Sequence, residues 1–469
     1  MSPGQAIYNH SPLWMQNLMV SAYGYGWKKR RFGGIFHDEY VKTKERESFS
    51  ATRWSDYQNQ QLQKILLHAF KHVPFYKTTF AQYGITTASL KNVSVESLSC
   101  LPVLTKESLR QHGTTSLIAE KKEKGGHFFA SSGSTGTPTQ ILFSHPMHQR
   151  WIGIFEQRVR SWAGVNSFIP RGMIGGRRVL SISSNNPPYY RYNFFEKQVY
   201  FSAYHISAEN AENYLKGMQR YKVQYMTGYA MSNFFLARFF KEQKLNAPQL
   251  KAVLTSSEKL TNEMREVFKE VYGCKTFDSW SGVEACALIT ECEHGSLHIS
   301  PDAGLIEVLD ENMQPVNYGE AGEIYCTGFI NYDQPLIRYA IGDSIILSDE
   351  TCACGRAMPV VQEILGRNED VIIGKDGREM VRFHSMFNGL HSVKQAQVIQ
   401  ESIDDLVIKI VADEKLDKKE EQLMRERIIS QLGDINIYFD CVDAIPLNKN
   451  GKFQAVISKV KRTKALEKK

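Results

Sequence analysis

The sequence predicts an α/β protein: a large N-terminal domain of β-sheets and helices followed by a small α+β domain. Three observations carry this. The chain has 469 residues, about three times a 150-residue domain unit, so two or three domains are expected. Between about residues 131 and 365, short β-like runs alternate with helical ones, as in an α/β sheet. A charged, glycine-bounded segment, Gly366–Gly377, then separates this region from further β-like runs and one helix.

Residues 1–130 read as the helical portion of the large domain. Leu62, Ile65, Leu66 and Ala69 recur at i, i+3, i+4 and i+7, the spacing of one helix face, and Pro74 ends that helix. Residues 131–367 read as its nucleotide-binding α/β core. The runs Arg178–Ser183, Tyr225–Thr227, Lys251–Thr255 and Glu323–Cys326 are expected strands, and Asn233–Lys244 and Thr261–Tyr272 expected helices. Residues 368–469 form the small domain, with strands at Gln397–Gln400 and Leu406–Val411, a helix at Lys418–Leu432 and a basic solvated tail from Lys459.

Composition narrows the function classes. Hydrophobic residues at 42%, aromatics at 11% and charged residues at 23% exclude a disordered, collagen-like or coiled-coil chain. The net charge of +7 is spread along the chain, so nucleic acid is not an expected partner. No apolar run is long enough for a transmembrane helix and no secretory signal is visible, so a cytoplasmic protein without an integral membrane segment is expected; a homodimer is left open. Cys100, Cys274, Cys286, Cys326 and Cys441 stand alone and read as small buried hydrophobes. The run Trp27-Lys28-Lys29-Arg30-Arg31-Phe32 interleaves aromatics with cations and reads as a solvated helix end rather than a membrane patch.

The stretch Ser131-Ser132-Gly133-Ser134-Thr135-Gly136-Thr137-Pro138-Thr139 is Ser, Thr or Gly at every position but Pro138. Glycines let successive N–H groups converge on an anion, and the hydroxyls add donors. No Lys-Ser/Thr pair follows the last glycine, so it is not a Walker loop.

This stretch resembles the phosphate loop of the adenylate-forming superfamily of acyl-CoA ligases, and the resemblance recurs in order downstream. Phe277-Asp278-Ser279-Trp280-Ser281-Gly282-Val283-Glu284, Ile337-Arg338-Tyr339-Ala340-Ile341-Gly342-Asp343, Gly366-Arg367-Asn368-Glu369-Asp370 and Pro446-Leu447-Asn448-Lys449-Asn450-Gly451-Lys452 resemble its four later motifs. His72-Val73-Pro74-Phe75-Tyr76 and Leu101-Pro102-Val103-Leu104-Thr105-Lys106 are similar to the phenylacetate–CoA ligase and CapK-like branch. The resemblance implies a small mobile C-terminal lid pivoting at residues 368–370. It implies catalytic Lys452 and Glu284, with Glu284 holding Mg2+ and Lys452 bridging carboxylate and α-phosphate. It assigns Asp343 and Arg367 to the ribose of ATP or AMP, residues 131–137 to its phosphates, Ser257, Glu258, Asp278 and Trp280 to its adenine, and Ser281 to the nucleotide site without a specific role.

The implied reaction joins a small carboxylic acid to ATP, giving acyl-AMP and pyrophosphate, and then passes the acyl group to a thiol, coenzyme A. Transfer to an amine or a carrier protein, adenylyl transfer in polysaccharide or secondary metabolism, and a silent nucleotide-binding scaffold are the alternatives. Trp280-Ser281 stands where the family commonly has Tyr-Gly, and a tryptophan still stacks on adenine. Phe194, Phe195, Tyr200, Phe201, Tyr204 and Tyr229 are candidate walls of the acyl pocket.

A second constellation is Cys292-x5-His298 with Cys352-x-Cys354. Three thiolates and an imidazole suit tetrahedral zinc, with His294 competing as the fourth ligand. Relatives in the CapK-like branch carry similar Cys…His and Cys-x-Cys-Gly pairs, here ending in Cys352-Ala353-Cys354-Gly355, which supports a zinc on Cys292, His298, Cys352 and Cys354. Four protein ligands leave no open position, so this zinc is expected to be structural.

Overall fold

The computed structural model describes residues 3–130, 138–177, 179–181, 186–367, 372–375, 379–380, 390, 392–412, 416–446 and 454–460. The chain divides into two compact units, residues 1–341 with 345–364 and residues 342–344 with 365–469.

The first unit starts with helices. Ser50 caps Ala51–His72 by accepting from the Arg53 N–H, and Leu62, Ile65, Leu66 and Ala69 are fully buried along it, the face expected from their spacing. The chain breaks at Val73, and Pro74 starts the next helix, Pro74–Gln82, at a first-turn position that needs no N–H donor. The centre of the unit is a twelve-stranded sheet. Its parallel part runs, in spatial order, Gln198–Ser202, Arg171–Gly175, Tyr225–Tyr229, Ala252–Ser256 and Lys275–Trp280. Helices Ala211–Arg220, Ala230–Glu242 and Asn262–Tyr272 connect these strands. Thr261 caps the last of them and Gly273, left-handed at φ 66°, ends it.

Three expectations are corrected. The strand expected at Arg178–Ser183 lies at Arg171–Gly175; among the described residues 179–181 none is in a strand, and Val179 and Leu180 pack in a core cluster instead. The true strand lacked a β-branched signature because it needs glycine. A Cβ on Gly172 would stand 2.3 Å from the Met226 sulfur and 2.9 Å from the Phe201 ring. Of the five cysteines expected to be buried, Cys274, Cys286 and Cys326 are, whereas Cys100 and Cys441 are exposed at the end of a short helix and of an edge strand. The run Trp27–Phe32 is a packed helix end, not a solvated one. Trp27 meets the rings of His127, Phe129 and His148, Arg30 donates to the Gly125 and Phe143 carbonyls at 2.6 and 2.5 Å, and Arg31 pairs with Glu196.

The second unit carries a four-stranded sheet in the order Asn436–Cys441, Asp405–Ala412, Val393–Gln400, Val456–Ser458. Helix Lys418–Leu432 supplies buried Met424 and Ile428 to a core with Val398, Leu406, Ile408 and Ile410. Buried Gln400 ties in the short strand Ile372–Ile373: its amide donates to the Ile373 carbonyl and its oxygen accepts from the Ile373 N–H. The basic tail expected from Lys459 lies outside the described residues beyond Val460.

Candidate active site and metal centre

Parallel sheets bind ligands at the carboxyl ends of their strands, where the strand order reverses. The chain passes from Arg171–Gly175 to Gln198–Ser202 on one side and then to Tyr225–Tyr229 on the other, so the reversal falls at the carboxyl ends of these strands. Gly228 marks it. With φ 123°, it brings two backbones so close that a Cβ would stand 1.8 Å from the Ile174 carbonyl oxygen.

Three of the four residues assigned to adenine, together with Ser281, lie at this edge. Ser257 and Glu258 follow strand Ala252–Ser256, and Trp280 and Ser281 end strand Lys275–Trp280. Ser257 is held at φ 70°, a strained conformation for a residue with a Cβ and one that concentrates at functional sites. Glu258 accepts from the Met231 N–H at 2.8 Å, at the start of helix Ala230–Glu242. Burial first, and then Glu258 and Tyr204, push the Tyr229 phenol up to about 12. Ser281 donates to the Ala287 carbonyl at 2.9 Å, fixing the turn that leads to Glu284.

Asp278 sits two residues before Trp280 in the same strand. Its Oδ1 accepts from the Thr255 hydroxyl at 3.1 Å and from the Ser279 N–H at 2.9 Å. Glu291, held by both arms of Arg265 at 3.0 and 2.8 Å, accepts from the Asp278 N–H. Burial and the nearby Glu291 raise the Asp278 carboxyl to about 7, against the lowering effects of Thr255, Ser279 and Arg265.

Glu284 is buried and accepts from the Tyr339 hydroxyl at 3.1 Å. Tyr339 belongs to a different motif, so this bond joins two segments that the sequence shows only as separate. Burial and the Glu284 charge push the Tyr339 phenol far up, so it stays a donor. Gly282 leaves room beside the other carboxylate oxygen, where a Cβ would stand 2.2 Å from Oε2.

The two N-terminal motifs hold this second segment. Tyr76 donates to the Pro335 carbonyl at 3.0 Å and accepts from the Ile337 N–H at 3.1 Å. Leu104 exchanges backbone bonds with Arg338 and Ala340. Arg338, at φ 47°, forks onto Glu307 and donates to the Leu101 carbonyl at 2.7 Å. Sequence reading missed Tyr76, Arg338 and Tyr339 as positioning groups, although each lies in a quoted motif. Asp343 follows Gly342, at φ 81°, in strand Tyr339–Ser348.

Residues 131–137, 368–370 and 447–453 lie outside the described residues, and with them the phosphate loop, the pivot and Lys452. Arg367 is described only as the last residue of strand Val360–Arg367. The strands flanking the phosphate loop, His127–Ala130 and Gln140–Phe143, pair antiparallel. Gln334 clamps the second strand, accepting from the Leu142 N–H at 2.6 Å and donating to the Gln140 carbonyl at 3.0 Å. Of the expected pocket walls, Tyr204 and Tyr229 lie at or just past the carboxyl ends. Tyr200 and Phe201 are core residues, and Phe194 and Phe195 are exposed before the amino end of Gln198–Ser202.

The four expected zinc ligands converge, with ligand atoms all within 4.8 Å of one another. Cys292 Sγ and Cys352 Sγ are 3.6 Å apart and Cys354 Sγ and His298 Nε2 3.4 Å. Bonds of about 2.3 Å to sulfur and 2.0 Å to nitrogen give tetrahedral edges of about 3.8 and 3.5 Å, so the donor set fits zinc. A disulfide would need about 2.05 Å. His298 Nδ1 donates to the Met358 carbonyl at 3.3 Å, leaving Nε2 as the free lone pair, the usual outer-shell arrangement for a ligating histidine. Burial lowers the His298 pKa, which keeps the ring neutral. His294 is not in the cluster.

The fold is that of adenylate-forming CoA ligases. 2-Hydroxyisobutyryl-CoA ligase, solved in a postadenylation state with an acyl-AMP, aligns with a TM-score of 0.69 at 18% identity, covering 89% of this chain and 92% of that one. The same enzyme has been solved in a thioesterification state with CoA, at a TM-score of 0.56 and 20% identity, covering 88% and 91% of the two chains. More narrowly, the chain is a homologue of Protein CapK of Staphylococcus aureus, 26% identical over 97% of this chain and 99% of CapK. Residues 372–459 match the CapK C-terminal domain family. The phenylacetate-coenzyme A ligase of Thermus thermophilus is 26% identical over 67% of this chain and 71% of its own length.

Proposed function

We propose that the protein is an ATP-dependent acid–thiol ligase that forms an acyl-AMP and then an acyl-CoA. The observation that supports this best is the convergence of Ser257, Glu258, Trp280 and Ser281 at the carboxyl edge of the parallel sheet, beside the Tyr339–Glu284 bond. Trp280 offers a ring for adenine, and Ser257 and Ser281 offer polar groups around it. The loop of residues 131–137, carried on the clamped hairpin, binds the phosphates, and Asp343 and Arg367 bind the ribose. Lys452 brings the cation that lets carboxylate approach the α-phosphate, where charge accumulates in the transition state. Domains divide at residue 368, and the C-terminal part acts as the lid.

Glu284 is the residue that would hold Mg2+. A buried carboxylate with one oxygen held by Tyr339 and the other so close to Gly282 that no larger residue fits there offers the oxygen donor that Mg2+ prefers, and the cation would neutralise phosphate charge. Cys292, His298, Cys352 and Cys354 would hold a structural zinc that fastens the Cys352–Cys354 turn to strand Leu297–Ile299.

Pyrophosphate release, measured over a panel of aliphatic, aromatic and hydroxylated acids with and without CoA, tests the reading. The expected outcome is acid-dependent pyrophosphate and, with CoA, AMP plus a thioester. No acid-dependent release from any acid of the panel would leave adenylyl transfer to another acceptor or the silent scaffold. Release that CoA does not accelerate would point to an amine or carrier-protein acceptor.

A further inference from the structure

The helix Leu13–Phe32 leaves several of its large apolar residues exposed while burying small and polar ones. Its buried positions are Gln16, Ser21 and Gly24. Gly24 approaches Asn193 so closely that a Cβ would stand 1.9 Å from the side-chain nitrogen, and Ser21 donates to the Tyr192 carbonyl. Val20 and Trp27 also pack inward, yet Trp14, Leu18 and Tyr25 are left 64%, 61% and 54% exposed. At about 100° per residue they share, with exposed Lys29, an arc of roughly 60°. The patch continues off the helix. Phe195 lies against Tyr25, with ring centroids 5.0 Å apart, and Phe194 lies 5.6 Å beyond it, 66% exposed. A face meeting only water has no reason to carry these residues while small and polar ones are buried.

Charge narrows what covers it. Residues 1–37 contain no Asp or Glu, yet carry Lys28, Lys29, Arg30 and Arg31. Arg31 is neutralised by Glu196 at 3.0 Å. Lys28 donates to the Phe195 carbonyl and Arg30 to those of Gly125 and Phe143, bonds that leave both charges uncancelled. Lys29 is exposed. We propose that this face rests on the anionic surface of a phospholipid bilayer, with Trp14, Leu18, Tyr25, Phe194 and Phe195 at the headgroup boundary and Lys28 and Lys29 toward the headgroups. Aromatic side chains favour that boundary, and stable attachment takes an apolar and a basic signal together. A second copy meeting the same face about a two-fold axis would set like charges against each other. No described helix is long and apolar enough to cross a membrane, so the contact is peripheral.

The test uses the full chain, sedimented with vesicles of pure phosphatidylcholine and of phosphatidylcholine with about 30% phosphatidylglycerol. The expected result is at least about 10-fold stronger binding to the anionic vesicles, weakened by about 0.5 M salt. Lys29→Glu should lower that binding several-fold with an unchanged melting curve, and Trp14→Ser/Leu18→Ser/Tyr25→Ser should abolish it. Absent binding, equal binding to both vesicles, or unchanged binding by Lys29→Glu would overturn the proposal. So would a solution dimer that the triple variant converts to monomer, which would assign the face to a second copy. None of these readouts requires ligase activity, so the proposal and the functional reading fail separately.

Discussion

Asp278 places an ionisable group where its charge is least welcome. Its carboxyl is raised to about 7, whereas an unfolded aspartate titrates near about 3.9. Between these values the folded protein keeps a proton that the unfolded chain releases, so stability from this group is present at low pH and is lost as pH rises toward about 7. Asp278→Asn keeps the oxygen that accepts from Thr255 and Ser279 and removes the charge. Its stability relative to the parent protein should therefore increase from pH 5 to 8, by at most a few kcal/mol at about 1.4 kcal/mol per unit. Thermal unfolding at four pH values checks this; parallel curves would show that Asp278 is ionised throughout. Lys452 makes the opposite kind of prediction, in rate rather than stability. If its charge acts only as the carboxylate meets the α-phosphate, Lys452→Ala should lower adenylation by orders of magnitude and leave ATP affinity nearly unchanged. Pyrophosphate exchange and nucleotide titration separate the two effects.

At the scale of elements, the metal centre is the clearest case of sequence foretelling structure. Thiols and imidazoles are few enough that Cys292, His298, Cys352 and Cys354 stood out by type and spacing, and the fold brings their ligand atoms together. Because binding free energy at such a site is folding free energy, Cys352→Ser should lose zinc and melting temperature together. Metal analysis of protein purified without chelator, read beside thermal unfolding, checks both; full zinc in the variant would show that Cys352 is not a ligand. Helix Asn262–Tyr272 was legible for a similar reason, since Thr261 and Gly273 mark its ends. Strand Arg171–Gly175 was not. Its fit depends on Gly172 passing between Met226 and Phe201, a contact made by residues far along the chain. The Tyr339–Glu284 and Tyr76–Pro335 bonds were hidden likewise. The motifs showed which segments matter, but only folding shows which of them hold one another. Trp27–Phe32 was misread because composition does not distinguish a cation facing water from one donating to a carbonyl.

For the whole molecule, the ligase reading asks one set of residues to serve two reactions with different geometry. In that reading adenylation would call for Lys452 at the α-phosphate, and thioester formation for a path by which the thiol reaches the same carbonyl carbon. A lid pivoting at residues 368–370, as proposed, would satisfy both in turn and would require backbone dihedrals there to change between states. Glu369→Pro fixes φ near −65° and removes an N–H, so it should hold the lid near one orientation. Single-turnover measurement of each step then separates the outcomes. Loss of at least about 10-fold in one half-reaction, with the other within about 2-fold of the parent, is the expected signature of a gating residue. Equal slowing of both steps with a lowered melting temperature would instead mark residue 369 as part of the scaffold, and the two reactions would have to share a single arrangement of the chain.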